Sequence, residues 1–371
     1  MKNTLLIIRW IVGLLFIFSG LVKINDPLGL SFKMQEFFEV WGIPFFNNFS
    51  LGLSIMMNVL EVGCGIGLLL GFRMSLISRI LLVLIVFFTF LTGYALLSGK
   101  IKTCGCLGDC LPLTPAMSFA KDLVLLVLIV VLFVYNKDIK PYFNRFVTNA
   151  ILMLSLVASI FAQDIVLNYL PFVDCLPFKA GNNIVEQMQK PKNYVPDSTV
   201  ITYQYKKNGK TIEFDQSHFP ADFDSTYEYI NRFDKLIRKG TGEAKITDFA
   251  LQTASGNDTT QALFATPKYV LMIGNTFPSN FDKWLLSLTQ IKNYCSANHL
   301  PFFYVTSQGE DEIKRLEKEN VTVLRCDVTT VKTAARTNST IFLMNNATIF
   351  KKISSQDLNK VLNGLEMLKR L

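Results

Sequence analysis

Three cysteines lie within seven residues of one short loop. Residues 104–110 read CGCLGDC, so one glycine separates Cys104 from Cys106, and Cys110 follows four residues later. A disulfide between Cys104 and Cys106 would close a tight ring, and Gly105 supplies the backbone freedom that such a ring needs. Strained disulfides are more oxidising and exchange more readily than relaxed ones. The spacing therefore predicts a working redox pair at Cys104 and Cys106.

Neighbouring residues add both support and alternatives. Lys100 and Lys102 precede the loop and would favour the thiolate by lowering the thiol pKa. Cys110 could resolve a mixed disulfide or form a structural bridge, and Cys175 is a further cysteine that we expect on the same side of the membrane. Four cysteines allow three full pairings, and the sequence does not choose among them. Three thiols with Asp109 could also ligate zinc, but their spacing matches no common zinc pattern, so no metal is predicted.

The loop lies between segments that are long and apolar enough to cross a bilayer. Half of the 371 residues are hydrophobic and only 18% are charged, whereas a soluble domain is usually nearer a quarter charged. A spanning helix needs about 20 mostly apolar residues. Five segments qualify, at about 5–22, 51–72, 77–97, 116–135 and 146–163. Since four spans follow it at once, the first is read as a span and not as a signal peptide.

Basic residues in short loops predict the orientation of such spans. With the N-terminus inside, the inner side carries slightly more Lys and Arg than the outer side, and an odd number of spans places the C-terminal half outside with the cysteine loop. In a bacterium that side is the oxidising periplasm, where disulfides persist. We therefore predict a multi-pass protein of the bacterial cytoplasmic (inner) membrane with a periplasmic C-terminal domain. The net charge of +8 forms no dense patch, which argues against nucleic-acid binding.

Two polar residues fall inside the second span. Glu61 is near its middle, and Asn58 lies three residues earlier on the same helical face. A carboxyl at that depth is costly, so it usually pairs inside the bundle or marks a functional path. Glu61 is therefore either a proton-linked or ligand-contacting group, or a structural partner of a neighbouring span, with Lys121 or Arg9 as its partner.

The connection between the first two spans is predicted to lie at the membrane surface. Lys23 and Asp26 could shape an outer cavity there. The aromatic and charged residues of 32–46 recur at near-helical spacing, which predicts an interfacial helix with Trp41 at headgroup level.

Six short motifs occur in order along residues 1–135. They are FSGLVK at 18–23, DP at 26–27, NVLE at 58–61, GFR at 71–73, CGCLGD at 104–109 and SFAKD at 118–122. Together they resemble the DoxX/MauE-like membrane proteins. The resemblance implies a four-helix membrane bundle associated with redox or cysteine-maturation systems. An inner loop and a fifth span follow over 136–163.

The outer half reads as two further regions. Residues 164–245 form a β-containing connector, in which alternating apolar residues flank Asn208-Gly209 and predict a hairpin. Over 246–371, strands alternate with helices and end in a hairpin, which favours parallel pairing followed by antiparallel pairing. This order resembles the thioredoxin fold, especially its peroxiredoxin-like branch.

One departure from that resemblance bears on function. Such enzymes keep a nucleophilic cysteine after the first core strand, but residues 274–280 read GNTFPSN, and Asn338-Ser339-Thr340 replaces the usual proline segment. We therefore expect no thiol chemistry from this domain. Cys295 and Cys326 are expected to be core residues or one internal disulfide, and Cys64 a buried apolar residue.

The combined prediction is an α-helical membrane bundle, an extracytoplasmic β-containing connector and an α/β thioredoxin-like domain. Its predicted function is to relay thiol–disulfide equivalents between a membrane carrier, with a quinone as the candidate cofactor, and periplasmic or membrane protein partners. In this candidate oxidoreductase Cys104 and Cys106 exchange, Cys110 or Cys175 resolves, and Glu61 is a buried proton partner. The alternative is a non-catalytic assembly subunit of an envelope complex, with a structural loop disulfide and a thioredoxin-like binding domain.

Overall fold

A computed structural model of the protein describes most of the chain. It covers residues 2–371 apart from 102, 104, 106, 197, 239, 241, 243 and 277–279. Cys104, Cys106 and Lys102 therefore lie outside the described residues, as does the middle of the stretch at 274–280. The chain divides into two compact units, of which one comprises Met1–Asn182 with Asp248–Leu371 and the other Asn183–Thr247.

The larger unit begins with six helices. They are α1 Lys2–Asn25, α2 Pro27–Val40, α3 Ser50–Leu70, α4 Met74–Ser98, α5 Pro115–Val134 and α6 Arg145–Tyr169, with a 3₁₀ helix at Pro44–Phe49 before α3. All but α2 are long and apolar enough to cross a membrane. The five predicted spans are thus confirmed, although α1 and α6 continue past their predicted ends.

Glycine brings α1 and α3 into close contact. A Cβ atom on Gly65 of α3 would lie 2.8 Å from the carbonyl oxygen of Gly13 on α1, and one on Gly20 would lie 2.6 Å from Val62 Cγ2. Small residues at such crossings let two backbones approach in a bilayer, where packing replaces the hydrophobic effect as the driving force. This approach sets the positions of the polar side chains that α1 and α3 carry.

A tight junction joins α1 to α2. Asp26 lies between the two helices, and its Oδ1 accepts a hydrogen bond of 2.9 Å from the amide of Gly29, which caps α2. Pro27 at the first helical position needs no amide partner. The inner face of α2 buries Leu30 and Met34 against the membrane helices, so the predicted surface helix packs onto the bundle.

The remainder of the larger unit is a sheet flanked by helices. Its elements follow the smaller unit in the chain. They are α8 Thr260–Ala265, β4 Lys268–Gly274, α9 Phe281–Ala297, β5 Phe302–Thr306, α10 Glu310–Lys318, β6 Val323–Arg325, α11 Val328–Ala334, β7 Ser339–Asn345, β8 Thr348–Ser354 and α12 Leu358–Arg370. The strand order is β6-β5-β4-β7-β8. β4, β5 and β6 are parallel, and β7 and β8 are antiparallel, as the alternation of strands and helices predicts.

The chain leaving α6 is attached to this sheet. The amide of Gly181 donates to the carbonyl of Ile349 on β8 at 2.7 Å, and the amide of Ile349 donates to the carbonyl of Asn182 at 3.0 Å. Near the end of α6, the Ser354 hydroxyl donates to the carbonyl of Asn168 at 2.5 Å. β8 is thereby held beside the end of the last membrane helix.

The smaller unit is a separate three-stranded sheet. Its elements are α7 Ile184–Met188, β1 Ser198–Lys207, β2 Lys210–Asp215 and β3 Glu228–Arg238, and the strand order is β2-β1-β3 with antiparallel pairing. Asn208 and Gly209 both have positive φ, at 52° and 78°. A two-residue hairpin loop requires that conformation, and the predicted hairpin is confirmed.

Candidate functional site

Cys110 and Cys175 form a disulfide. Their Cα atoms are 5.0 Å apart, and 65 positions separate them in the chain. The bond joins the loop after α4 to the segment after α6. Since it uses Cys110 and Cys175, Cys104 and Cys106 remain as the other two cysteines of the predicted outer set.

This bond also bears on the zinc alternative. A site of three thiolates and Asp109 would need the sulfur of Cys110, which is bonded to Cys175. Within the described ranges, no three His, Cys, Asp or Glu side chains group closely enough to hold a metal ion.

Removal of the disulfide is expected to destabilise the protein. A Cys175→Ser variant should lose about 2–4 kcal/mol in the free energy of unfolding, because the bond closes a long loop in the unfolded chain. The midpoint of denaturant unfolding in detergent measures this loss. Cys326→Ser, which alters a free thiol, is the control. Equal midpoints for the two variants would contradict a stabilising role for the bond.

Glu61 is paired inside the bundle with Lys23. The Lys23 Nζ atom lies 2.5 Å from Glu61 Oε1, and each side chain is 1% exposed. The same ammonium lies 4.5 Å from the centroid of the Phe88 ring, an additional favourable contact for a buried cation. The sequence predicted Lys23 beside an outer cavity. In the structure Lys23 is a buried residue of α1 that lines a pocket of the bundle.

The predicted partners of Glu61, Arg9 and Lys121, were wrong. Arg9 donates from Nε to the carbonyl of Leu68 at 2.7 Å and from Nη2 to that of Leu69 at 2.6 Å. Lys121 pairs with Asp122 at 2.5 Å. Arg9 thus satisfies carbonyl groups at the end of α3, which have no partner within the helix.

Asn58 connects this pair to one further helix, α6. Its Nδ2 atom donates to Gln163 Oε1 on α6 at 2.9 Å and to the carbonyl of Lys23 at 3.3 Å. The helical spacing predicts that Asn58 and Glu61 share one face, and they do so in α3. Nothing in the sequence identifies Gln163 as a partner. A single polar residue at the end of a span gives little local signal of its partner.

A second buried carboxylate lies between α4 and α5. Asp122 Oδ2 accepts from the Thr92 hydroxyl at 3.1 Å, and Oδ1 accepts from Lys121 Nζ. Lys23, Glu61, Lys121 and Asp122 line one pocket of the bundle. Two ion pairs therefore meet beneath the cysteine loop, since Leu107 lines the same pocket.

Arg336 connects the sheet region to the membrane half. Its Nη2 donates to Asp109 Oδ2 at 2.6 Å, and its Nε lies 3.0 Å from Asp26 Oδ2. The contact between Arg336 Nε and Asp26 is an ion pair, because its geometry does not meet that of a hydrogen bond. Arg336 is 5% exposed, whereas Asp26 and Asp109 are 13% and 32% exposed, so the contact with Asp26 is the more shielded of the two.

A second ion pair repeats this connection. Lys352 of β8 lies 2.7 Å from Asp174 Oδ2 and is 3% exposed. Burial lowers the pKa of Lys352, an effect that Asp174 opposes. Burial likewise raises the pKa of Asp26, and the charge of Arg336 opposes that rise. Asp26, Asp109 and Asp174 line one small pocket with the Cys110–Cys175 bond. That Asp26 shapes an outer cavity stays a prediction.

The cysteines of the C-terminal region are not paired with each other. Among the described cysteines, Cys64, Cys295 and Cys326 are free, so the alternative of an internal disulfide between Cys295 and Cys326 is wrong. Burial raises the pKa of Cys295 to about 12 and that of Cys326 to about 11. Both thiols are therefore protonated and unreactive at neutral pH.

Comparison with known families bears on this geometry. Residues 1–135 match the family model described as Methylamine utilisation protein MauE. The match spans α1 to α5 and ends one residue after α5, so it contains both ion pairs and the cysteine loop. The MauE part of the resemblance is thus confirmed, and the membrane half is MauE-like.

The rest of the chain has fewer matches. Residues 199–239, which include β1 to β3, match a domain of unknown function (DUF8463). No curated protein and no solved structure matches the chain. These findings do not extend to the DoxX or thioredoxin-like resemblances. Residues 1–135 are therefore MauE-like, the five apolar helices fit a multi-pass membrane protein, and the C-terminal region contains β-strands.

Proposed function

We propose that this MauE-like protein relays or maintains thiol–disulfide state through Cys104 and Cys106. The observation that carries the proposal is the Cys110–Cys175 bond. Because that bond uses Cys110 and Cys175, it does not need the thiols of the Cys-Gly-Cys sequence at 104–106. A membrane carrier, for which we propose a quinone, and periplasmic or membrane proteins are the two redox partners.

The surroundings of the loop support thiolate formation. Gly105, between the two cysteines, has a φ of +66°, and a Cβ atom on it would lie 3.0 Å from Lys33 Cγ. A lysine side chain therefore packs against the residue that separates the pair. The Lys33 ammonium itself pairs with Glu36 at 2.8 Å. Lys100 and Lys102, which precede the loop in the sequence, are the cations that we propose favour the thiolate, the form that attacks a disulfide.

The contacts of the loop support a shared compartment for the loop and the C-terminal region. Cys110 bonds to the segment after α6, and Asp109 contacts Arg336. Five spans with the N-terminus in the cytoplasm would put this side in the periplasm of a bacterium. We propose that orientation, with the protein in the inner membrane, because a persistent disulfide suits an oxidising compartment.

We further propose that residues 246–371 are a thioredoxin-like domain without catalysis of its own. The order β6-β5-β4-β7-β8 supports this fold. After β4, the amide of Asn275 donates to the carbonyl of Asn338 at 3.0 Å, and the Thr276 hydroxyl donates to Asn338 Oδ1 at 3.3 Å. Amide and hydroxyl groups thus occupy the edge where related enzymes keep a thiol. Arg336 extends from the same edge to the cysteine loop.

Paired serine variants test the thiol role. In Cys104→Ser and Cys106→Ser strains we expect the ratio of thiol to disulfide in partner proteins to differ from that in the wild-type strain. Alkylation of free thiols and the resulting mass shift measure this ratio. In the purified wild-type protein, disulfide mapping should find a bridge that opens at mild reductant while Cys110–Cys175 persists. Cys326→Ser is the matched control. If both loop variants left all partner thiol states and growth unchanged, the thiol function would be excluded.

An assembly role is the second candidate, and the three ion pairs that Arg336 and Lys352 form favour it. They hold the C-terminal region against the membrane half, as a docking module would require. The matching family is described by name as a methylamine utilisation protein, and for this chain we propose at most an accessory role of that kind. Co-purification from gently solubilised membranes would support the role by returning stoichiometric partners. Recovery of the lone protein would count against it.

A further inference from the structure

One pocket of the bundle has the features of a binding site for a lipid-soluble ligand. It lies between α1, α3, α4 and α5, and its cavity volume is about 90 Å³. One water molecule needs about 10–15 Å³ of such space, so the cavity can take the edge of a ring, and the remainder of a ligand would extend through its open side. The walls are mainly apolar, and they include Phe16, Ile85, Phe88 and Leu125.

The rim of this pocket faces the bilayer. Leu15 and Phe18 line it and are 42% and 47% exposed. Both lie on α1, within a span, where an exposed apolar side chain contacts lipid. Leu107, which directly follows Cys106 in the chain, also lines the pocket. A ligand that enters from the lipid would therefore approach the cysteine loop.

The pocket also contains an unsatisfied acceptor. Glu61 uses Oε1 for Lys23, whereas Oε2 has no hydrogen-bond partner among the residues that the structure describes. Glu61 is 1% exposed. A buried oxygen without a partner costs about 1–3 kcal/mol, and more if charged. This acceptor requires a donor, and an empty apolar pocket beside it offers room for one.

Cations complete the arrangement. Lys23 and Lys121 also line the pocket. An ammonium group has three N–H donors, and in the contacts described above each lysine uses one of them for its carboxylate partner. Asp122 has both oxygens engaged, by Thr92 and Lys121. The polar end of the pocket therefore offers donors for a carbonyl oxygen and one acceptor for a hydroxyl group.

We propose that this pocket binds a membrane-soluble quinone and its quinol, with Glu61 Oε2 accepting a hydrogen bond from the quinol hydroxyl. Quinones of this kind have an apolar body and reach a protein from the bilayer, and each carbonyl becomes a hydroxyl on reduction. The inference rests on the proposed thiol function for its chemistry. Cys104 and Cys106 thiols become a disulfide, and their two electrons and two protons convert the quinone into the quinol.

Photolabelling tests the site without using the cysteines. The Cys104→Ser/Cys106→Ser protein in lipid nanodiscs is irradiated with an azido-substituted short-chain benzoquinone, and labelled peptides are mapped by mass spectrometry. We expect labels on peptides of α1 and α5, and competition by decylubiquinone. Labelling elsewhere only, or labelling that decylubiquinone does not reduce, would overturn the proposal. A phospholipid retained in the pocket and not displaced by decylubiquinone would overturn it as well.

Matched variants locate the probe. Leu15→Trp narrows the rim and should reduce labelling about tenfold, the effect of a loss of about 1.4 kcal/mol in binding. Leu14→Trp, on the same helix and 52% exposed but outside the pocket lining, is the control and should label normally. Equal labelling of both variants would contradict the assignment.

A test of the role of Glu61 requires a variant that still folds. Lys23→Met/Glu61→Met removes acceptor and cation together and leaves no unpaired charge, and it should also reduce labelling about tenfold. Decylubiquinol has a hydroxyl that can donate where the quinone cannot, so it should compete with the probe more weakly in this variant. Competition by decylubiquinol equal to that in the wild type would exclude Glu61 as the quinol acceptor. The failures are distinguishable, because lost labelling with intact Cys104/Cys106 exchange rejects only the pocket. Normal labelling with no exchange rejects only the thiol function.

Discussion

Replacing Lys23 by Met is expected to destabilise the membrane bundle by about 3–5 kcal/mol, the usual cost when one partner of a buried ion pair is removed. The substitution leaves Glu61, which is 1% exposed, as an unpaired carboxyl among apolar side chains. Methionine has similar length and flexibility, so little packing is lost with the charge. The free energy of unfolding in mixed micelles, measured for wild type and variant, gives the effect directly.

The double variant separates charge from packing. Lys23→Met/Glu61→Met removes both ions, and it should recover at least half of the loss, because apolar replacement of a whole buried pair is often neutral or stabilising. Lys33→Met is the matched control, since Lys33 pairs with Glu36 at 2.8 Å while the two side chains are 24% and 36% exposed. We expect at most about 1 kcal/mol there. A Lys23→Met effect as small as that of Lys33→Met would show that the buried pair contributes little.

Replacing Arg336 by Leu is expected to release the C-terminal region from the cysteine loop. The change leaves Asp26 and Asp109 facing each other without their shared cation, which should cost about 3–5 kcal/mol. Hydrogen exchange of the backbone amides at 26–30 and 107–110 should speed up, and limited proteolysis between the membrane half and the sheet should become faster. If hydrogen exchange in β4 stays slow, the sheet is still folded. Faster exchange at the loop and faster proteolysis then report release of the C-terminal region and not a general loss of stability.

Two further variants sharpen this experiment. Arg336→Lys keeps one charge but cannot contact two carboxylates in a fork, so it should give an intermediate effect. Arg325→Leu is the control, because Arg325 pairs with Glu310 at 2.7 Å while the side chains are 40% and 67% exposed. We expect about 1 kcal/mol or less there, with no change in exchange at 107–110. Slow exchange at 107–110 in Arg336→Leu would contradict a holding role for Arg336.

The membrane helices could be predicted because length and hydropathy alone define a span. Glu61 could be selected for the same reason, since a carboxyl inside such a span needs an explanation. Its partner could not be found because α1 continues to Asn25, three residues past the apolar stretch. That extension places Lys23 within the helix, and its long apolar stem reaches the carboxylate from the helix end.

Contacts between distant parts of the chain escaped prediction. Arg336 and Asp109 are 227 residues apart, and no local pattern relates an arginine before a strand to an aspartate in a membrane loop. The strands themselves were predictable, because their alternation with helices is a local signal. For the cysteines, the sequence limited the pairings to three, and only the folded positions of Cys110 and Cys175 select between them.

The Cys110–Cys175 bond also has a consequence for biosynthesis. Its two sulfurs flank α5 and α6, one just before the first helix and the other just after the second. If α5 and α6 each cross the membrane, as proposed, the bond cannot close until both helices have been inserted and Cys175 has reached the face that carries Cys110. A nascent chain arrested after α5 would keep Cys110 open to alkylation. This one cross-link therefore reports completed insertion of the last helical hairpin.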